Sequence, residues 1–403
     1  MSSLATATRS LLEDARAAAH DAASQAASQL GSPEADLTLV FATAPYDQEA
    51  LISTIGEHLN PESIIGCSGE GTISGSTSSE RDHALSILAV RSESLRFERF
   101  LVDGYGDDPQ AAGTELGRQI EEAIAATPDE KVVGLWLFPD GLRGNCTDML
   151  DALRERLPLQ PITIGGTAAD AMAFERTYQY YAGRVVSGSV VAVLIRGRGQ
   201  MEVAVSHGCT PIGLPRTVTH ASGSWVHEID HQPAWEVFRD YLDGDPQDLN
   251  GEGIVHLCIG QPLKGAAAEE YAPYVIRTPL QLDKPSGALL FPGGGLDTGE
   301  TICMTRRDPD RIREGARSCA AAIRDRHADR RPLLALQIEC AGRGKILFGS
   351  RVDKELIAPL QDTLGGDVPW AGFHSYGEIA PIAGRTYYHN YTVGLSVLYD
   401  DDE

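Results

Sequence analysis

Residues 375–392 read SYGEIAPIAGRTYYHNYT, and residues 340–349, some thirty positions earlier, read CAGRGKILFG. Ser375, Tyr376, Glu378, Arg385, His389 and Asn390 gather around Gly377, Pro381 and Gly384, while Cys340, Arg343 and Gly344 stand where an apolar run stops. The turn residues explain the change of chain direction. They do not explain so many hydrogen-bonding and charged side chains in one place. A guanidinium such as Arg343 or Arg385 holds a carboxylate through two parallel hydrogen bonds. Glu378 is suited to receive an ammonium, and N–H groups of glycine-rich turns cradle remaining oxygens. The pattern points to a pocket for a small polar ligand. Gly66, Ser68, Gly165 and Thr167, at matching positions elsewhere in the chain, are weaker lining candidates.

Other chemistry is suggested and mostly set aside. Cys340 with His374 or His389 has the composition of a cysteine hydrolase or amidase, but a lone cysteine is more often a small buried hydrophobe. His227–His231 matches HExxH, which binds zinc only on a helix, where residues four apart share a face. Here the stretch TVTHASGSWVHEID (217–230) alternates as a hairpin, and Pro233 opens the helix that follows. GGGLDTGE (293–300) lacks the preceding strand and following helix of a nucleotide loop. GCSGEG (66–71) lacks the spacing of a GxSxG elbow. No catalytic residue, metal site or cofactor is therefore expected.

The elements that must position these residues recur. LTLVFATA (37–44), a helix capped by Asp47, SIIGC (63–67), a glycine-rich loop through 75 and HALSILAV (83–90) form one round. VVGLWLF (132–138), a helix over 147–157 capped by Thr147, ITIGG (162–166), a loop with Asp170 and SVVAVLI (189–195) form the second. LLALQIEC (333–340), a helix over 353–364 capped by Asp353, WAGF (370–373), the opening segment read as a loop, and TVGLSVLY (392–399) form the third. Rounds one and three share Gly-Glu, at Gly69-Glu70 and Gly377-Glu378. Repetition of one supersecondary unit predicts an α/β fold of two domains with mixed sheets and outer helices. Polar groups at the carboxyl ends of strands then converge on a crevice. Strand-like pieces at 254–259, 273–276 and 287–291 and a helix over 308–326, capped by Asp308, lie between rounds two and three. An Ala-rich helix over 4–30 precedes them all, so the expected division is 1–35, 36–212 and 213–403.

With 403 residues and 42% hydrophobic content, the chain has ample material for large cores. A net charge of −23 disfavours nucleic acid and anionic membrane surfaces, both of which need clustered Lys and Arg. Seven scattered cysteines without a CxxC pair read as reduced thiols, and no apolar run reaches membrane-spanning length. A cytoplasmic location follows as the expectation.

The segments SYGEIAPIAGRTYYHNYT and CAGRGKILFG resemble the C-terminal half of the FIST sensory proteins. IIGCSGEGTISG, TIGGTAADA and GRVVSGSVVAVLIRG resemble the N-terminal half, and HGCTPIGLPRTVTHASGSWVHEIDHQPAWEVF the junction. The resemblance covers residues 36 to 400. It implies a small-ligand-sensing module of signal transduction, with amino acids as suspected ligands and a separate partner protein as the output. A plain interaction scaffold is the remaining alternative.

Overall fold

Apolar runs become the central strands of three sheets. A computed structural model describes residues 3–80, 83–242, 257–365 and 367–401. In the first unit Leu37–Thr43 is buried along its whole length. Helix Gln48–His58 follows, with the Asp47 carboxylate accepting the Ala50 N–H at 3.1 Å. Ile64–Gly69 returns parallel to the first strand, and Leu85–Arg91 pairs antiparallel on its other edge. The second unit repeats this with Val132–Pro139, helix Cys146–Arg156, Thr163–Gly166 and Val190–Gly197. The third does so with Leu334–Cys340, helical turns through Leu364, Trp370–Ser375 and Val393–Asp400. Strand order and direction are the same in all three.

A glycine fixes each parallel pair at the same position. Gly66 lies opposite Val40, Gly165 opposite Leu137 and Gly372 opposite Gln337. A Cβ at these glycines would lie 2.0, 1.8 and 1.9 Å from the carbonyl oxygen of the opposite residue. No side chain is tolerated at such separations.

The hairpin after each second strand leaves its own unit. Gly71–Ser74 and Thr77–Ser79, from the first unit, extend the third unit's sheet at Trp370–Ser375. Gln179–Tyr181 and Arg184–Val186, from the second, extend the first unit's sheet at Ile64–Gly69. Glu378–Ile382 and Arg385–His389, from the third, extend the second unit's sheet at Thr163–Gly166. Three six-stranded sheets are thus completed in a cycle, each by a neighbour. Their inner faces share one apolar cluster. At its heart the Phe41, Phe138 and Phe373 rings pack with centroids 4.7–6.1 Å apart. Helices cover the outer faces. A fourth sheet, from strands between Cys209 and Arg307, includes the hairpin Cys209–Ser222/Trp225–Ile229, whose turn has Gly223 at φ 57°.

Several sequence expectations are corrected. Residues 4–30 are not one helix. Leu4–Ser10 is a strand paired with Leu85–Arg91, and the helix is Ala15–Leu30, capped by Asp14. The alanine content masked the alternating Thr6 and Thr8, which suit a strand. The 375–390 segment is a hairpin, not a loop, and 66–75 is mostly strand. Asn145, not Thr147, caps the second unit's helix, and the Thr147 hydroxyl donates to Gly293 O at 2.5 Å. Asp353 caps nothing; its carboxylate accepts the Ser78 N–H. Of the expected strand 254–259, residues 257–259 belong to Leu257–Pro262 and 254–256 lie outside the described residues.

Candidate functional site

The second strands of all three units end at one place, where their backbones interlock. Ala169 N–H donates to Ser68 O at 3.0 Å, Glu70 N–H to His374 O at 2.9 Å, and Thr167 N–H to Gly377 O at 2.8 Å. Ser68 adds a buried hydroxyl that donates to Ala169 O and accepts from Tyr178 N–H. The charged and apolar residues exposed at this end therefore come from three distant parts of the chain.

Asp170 organises the most unusual segment there. Its carboxylate accepts the N–H groups of Phe174, Glu175 and Arg176 at 3.0, 2.7 and 2.9 Å and the Tyr376 hydroxyl at 2.6 Å. Ala171, Met172 and Phe174 have φ of 60°, 57° and 54°, a left-handed conformation that costs ordinary residues about 1 kcal/mol or more each. The Tyr376 hydroxyl also accepts Met172 N–H at 2.9 Å, and its ring stacks on Phe174 with centroids 5.3 Å apart. One carboxylate and one phenol hold the strained loop in place.

Beside that loop opens a cleft of about 440 Å³, walled by Glu70, Glu80, Met172, Ala341, Lys345 and Ile346. Burial raises the Glu70 carboxyl to about 7, aided by the charges of Glu80 and Asp170. Burial likewise raises Glu80 to about 7, although its Oε1 accepts the Lys345 N–H at 2.7 Å. Gly344 permits this approach, since a Cβ there would stand 2.3 Å from that same oxygen. Two carboxyls that burial holds near neutrality thus share this cleft with a lysine. Next to the cleft, and sharing Met172, Ala341 and Ile346 as walls, lies a smaller pocket of about 30 Å³.

The residues singled out from sequence divide into three groups. Cys340, Ser375, Tyr376 and Asn390 line the small pocket, and Gly344 supports Glu80. Ser68 and Thr167 lie buried beneath, with Gly66 and Gly165 deeper at the parallel pairings. Arg343, Glu378, His389 and Arg385 line neither the cleft nor the small pocket. Arg343 is fully buried, with Nε 2.6 Å from Glu339 Oε1 and Nη1 donating to Ser206 O at 2.8 Å. Glu378 is sealed among Ser375 Oγ (2.7 Å), Thr392 Oγ1 (2.8 Å) and Thr392 N–H (3.1 Å), and burial raises it to about 7. His389 is buried, held to about 3 by burial, with Nε2 3.1 Å from Ala380 O. Arg385 is on the outer face, 47% exposed and paired with Asp151 at 3.1 Å.

The shared Gly-Glu pairs are not equivalent. Glu70 faces the cleft, whereas Glu378 begins a hairpin strand and points inward. Glu70, Glu80 and Lys345 were missed as site residues; Glu70 lay within a glycine-rich stretch already suspect, but Glu80 carried no local signal. Cys340 is a buried thiol whose pKa burial pushes well above its usual value. His227 sits on a strand, stacked on His220 and 2.8 Å from Ser222 Oγ, and among the described residues no cluster of metal-ligand side chains forms.

Fold and cleft together define a mixed α/β protein whose sequence halves share interlocked sheets. Residues 36–232 match the model of the FIST N domain and residues 234–381 that of the FIST C domain, so the chain belongs to the FIST family, whose domains are of sensory type. "Uncharacterized protein Mb0898c" of Mycobacterium bovis is 27% identical over 402 residues, covering 97% of each chain. "Uncharacterized protein Rv0628c" of Mycobacterium tuberculosis is 26% identical over 404 residues, covering 96% of this chain and 97% of its own. A solved cyanuric acid hydrolase aligns with 99% of this chain and 100% of its own at 10% identity, with a TM-score of 0.35. Among the described residues no helix is long and apolar enough to cross a membrane.

Proposed function

We propose that this protein senses a small zwitterion of the amino-acid class and reports its occupancy to a separate partner protein. The observation that carries the reading is the cleft where three units meet, which has Glu70, Glu80 and Lys345 among its walls. An arriving ammonium favours the ionised form of carboxyls that burial holds near neutrality, and Lys345 complements a ligand carboxylate. The strained Ala171–Phe174 loop, on the cleft wall, is the element whose conformation a partner would read. Acidity of the chain makes nucleic acid and anionic membranes unsuitable partners.

A thermal-shift series of the twenty amino acids tests this directly, because a ligand that binds only the folded state raises the melting temperature. At least one amino acid should do so, and Glu70→Gln with Glu80→Gln should remove the shift. Absence of any shift across the series rejects the reading. The thiol-enzyme alternative finds no support in the geometry, since Cys340 stays protonated in an apolar cluster with Cys209, Cys258, Ile276 and Tyr391.

A further inference from the structure

Resting on the amino-acid reading above, we infer that the ligand carries a short aliphatic side chain, seated in the small pocket beside the charged cleft. Three walls, Met172, Ala341 and Ile346, belong to both spaces, so a molecule held by the Glu70–Glu80–Lys345 cluster places its side chain next to this pocket. The other walls include Phe174, Leu280, Tyr376 and Tyr391.

The polar atoms around the pocket are nearly all engaged. Asn390 Nδ2 donates to Tyr376 O at 3.1 Å and its Oδ1 accepts Thr278 N–H at 3.1 Å. The Tyr376 hydroxyl is committed to Asp170 and Met172, and Ser375 Oγ to Glu378. Cys340 stays protonated through burial. Thr278 Oγ1 is the exception here, without a partner among the described residues. A charged or amide side chain entering this space loses its water and gains almost nothing in return. An apolar group loses only unfavourable hydration.

Size narrows the class further. A volume of about 30 Å³ is two to three times the roughly 10–15 Å³ that one water requires. That suits the few carbons of a valine or leucine side chain and excludes an indole. Met172, flexible at the shared wall, lets the pocket adapt to either branched chain.

Calorimetric titration of the full chain with glycine, L-valine, L-leucine, L-threonine and L-tryptophan tests the inference. Valine or leucine should bind about tenfold or more tighter than glycine, with tryptophan weakest, the discrimination ordinary for an apolar subsite. Threonine, which matches valine in shape, should bind more weakly than valine despite the Thr278 hydroxyl. Ile346→Gln alters a side chain that is already 39% exposed, so the variant should fold, and it should collapse the valine-to-glycine affinity ratio. If glycine, threonine or tryptophan binds as tightly as valine and leucine, or if Ile346→Gln leaves the ratio intact, the aliphatic subsite is wrong while amino-acid sensing stands. If none of the five binds, and the thermal-shift series is also blank, both readings fall.

Discussion

Glu378→Gln separates a buried carboxyl that shapes the fold from one that meets a ligand. In the folded chain this carboxyl titrates at about 7 against an ordinary 4.5, because it is fully buried. An acid with a raised folded pKa contributes stability that is complete below 4.5 and lost as pH rises through 7. Between about pH 5 and about pH 8 the loss amounts to about 2.5 kcal/mol for this one group. Glutamine can keep the same partners: its oxygen accepts from Thr392 N–H and Oγ1, and its amide donates to Ser375 Oγ, which turns its own proton toward Glu339 O. Urea unfolding of both proteins across that range should therefore show the wild type losing about 2.5 kcal/mol more than Glu378→Gln. Glu70 and Glu80 add their own losses to both curves and cancel in the difference. Superimposable pH profiles would mean that Glu378 ionises normally in a hydrated environment, and the sealed end of the third unit would be misassigned.

Other consequences can be checked with simple variants. Asp170→Ala leaves three N–H groups and the Tyr376 hydroxyl without their acceptor; it should cost on the order of 2–4 kcal/mol and accelerate amide exchange over residues 171–176. Gly66→Ala, Gly165→Ala and Gly372→Ala each place a methyl within 2.0 Å of a carbonyl oxygen and should yield insoluble or unfolded chains. Iodoacetamide near neutral pH should leave Cys340 unmodified in the folded protein and alkylate it in urea, as peptide mass mapping will show. His227→Ala and His231→Ala should leave the melting temperature of metal-free and zinc-supplemented protein alike, since His227 lies on a strand against His220 and Ser222 while His231 lies in the turn beyond it, not on a shared helical face.

The central strands of the three units were legible because burial on both faces demands unbroken apolar runs, and Gly66, Gly165 and Gly372 each mark a close backbone approach. Loop identity was less legible. The 375–390 stretch looked like a charged loop because Glu378 and Arg385 were read as neighbours on one surface; on the hairpin one is sealed inside and the other emerges outside. Glu80 was invisible for a different reason. Its relation to Lys345 spans 265 positions and exists only because the first unit's hairpin crosses to the third unit's sheet. Asp170 was noticed in its loop, but nothing nearby in sequence announces that it caps three backbone groups. Spacing reports the local partners of a residue; convergence of strand ends from separate units leaves no spacing to read.

The cyclic exchange of hairpins also constrains how such a chain reaches its native state. The first sheet waits for residues 179–186, the second for 378–389, and the third draws on residues 71–79, which lie far upstream of its own first strand, Leu334–Cys340. No unit made on its own can satisfy its edge. Contacts of such sequence separation make folding slow and leave half-made sheets with open edges. An excised N-terminal half, though it matches a family domain by sequence, would lack the two strands that close its second sheet. Expressed alone, it should aggregate or pair with a second copy through that bare edge, and supplying the C-terminal half in trans should rescue it.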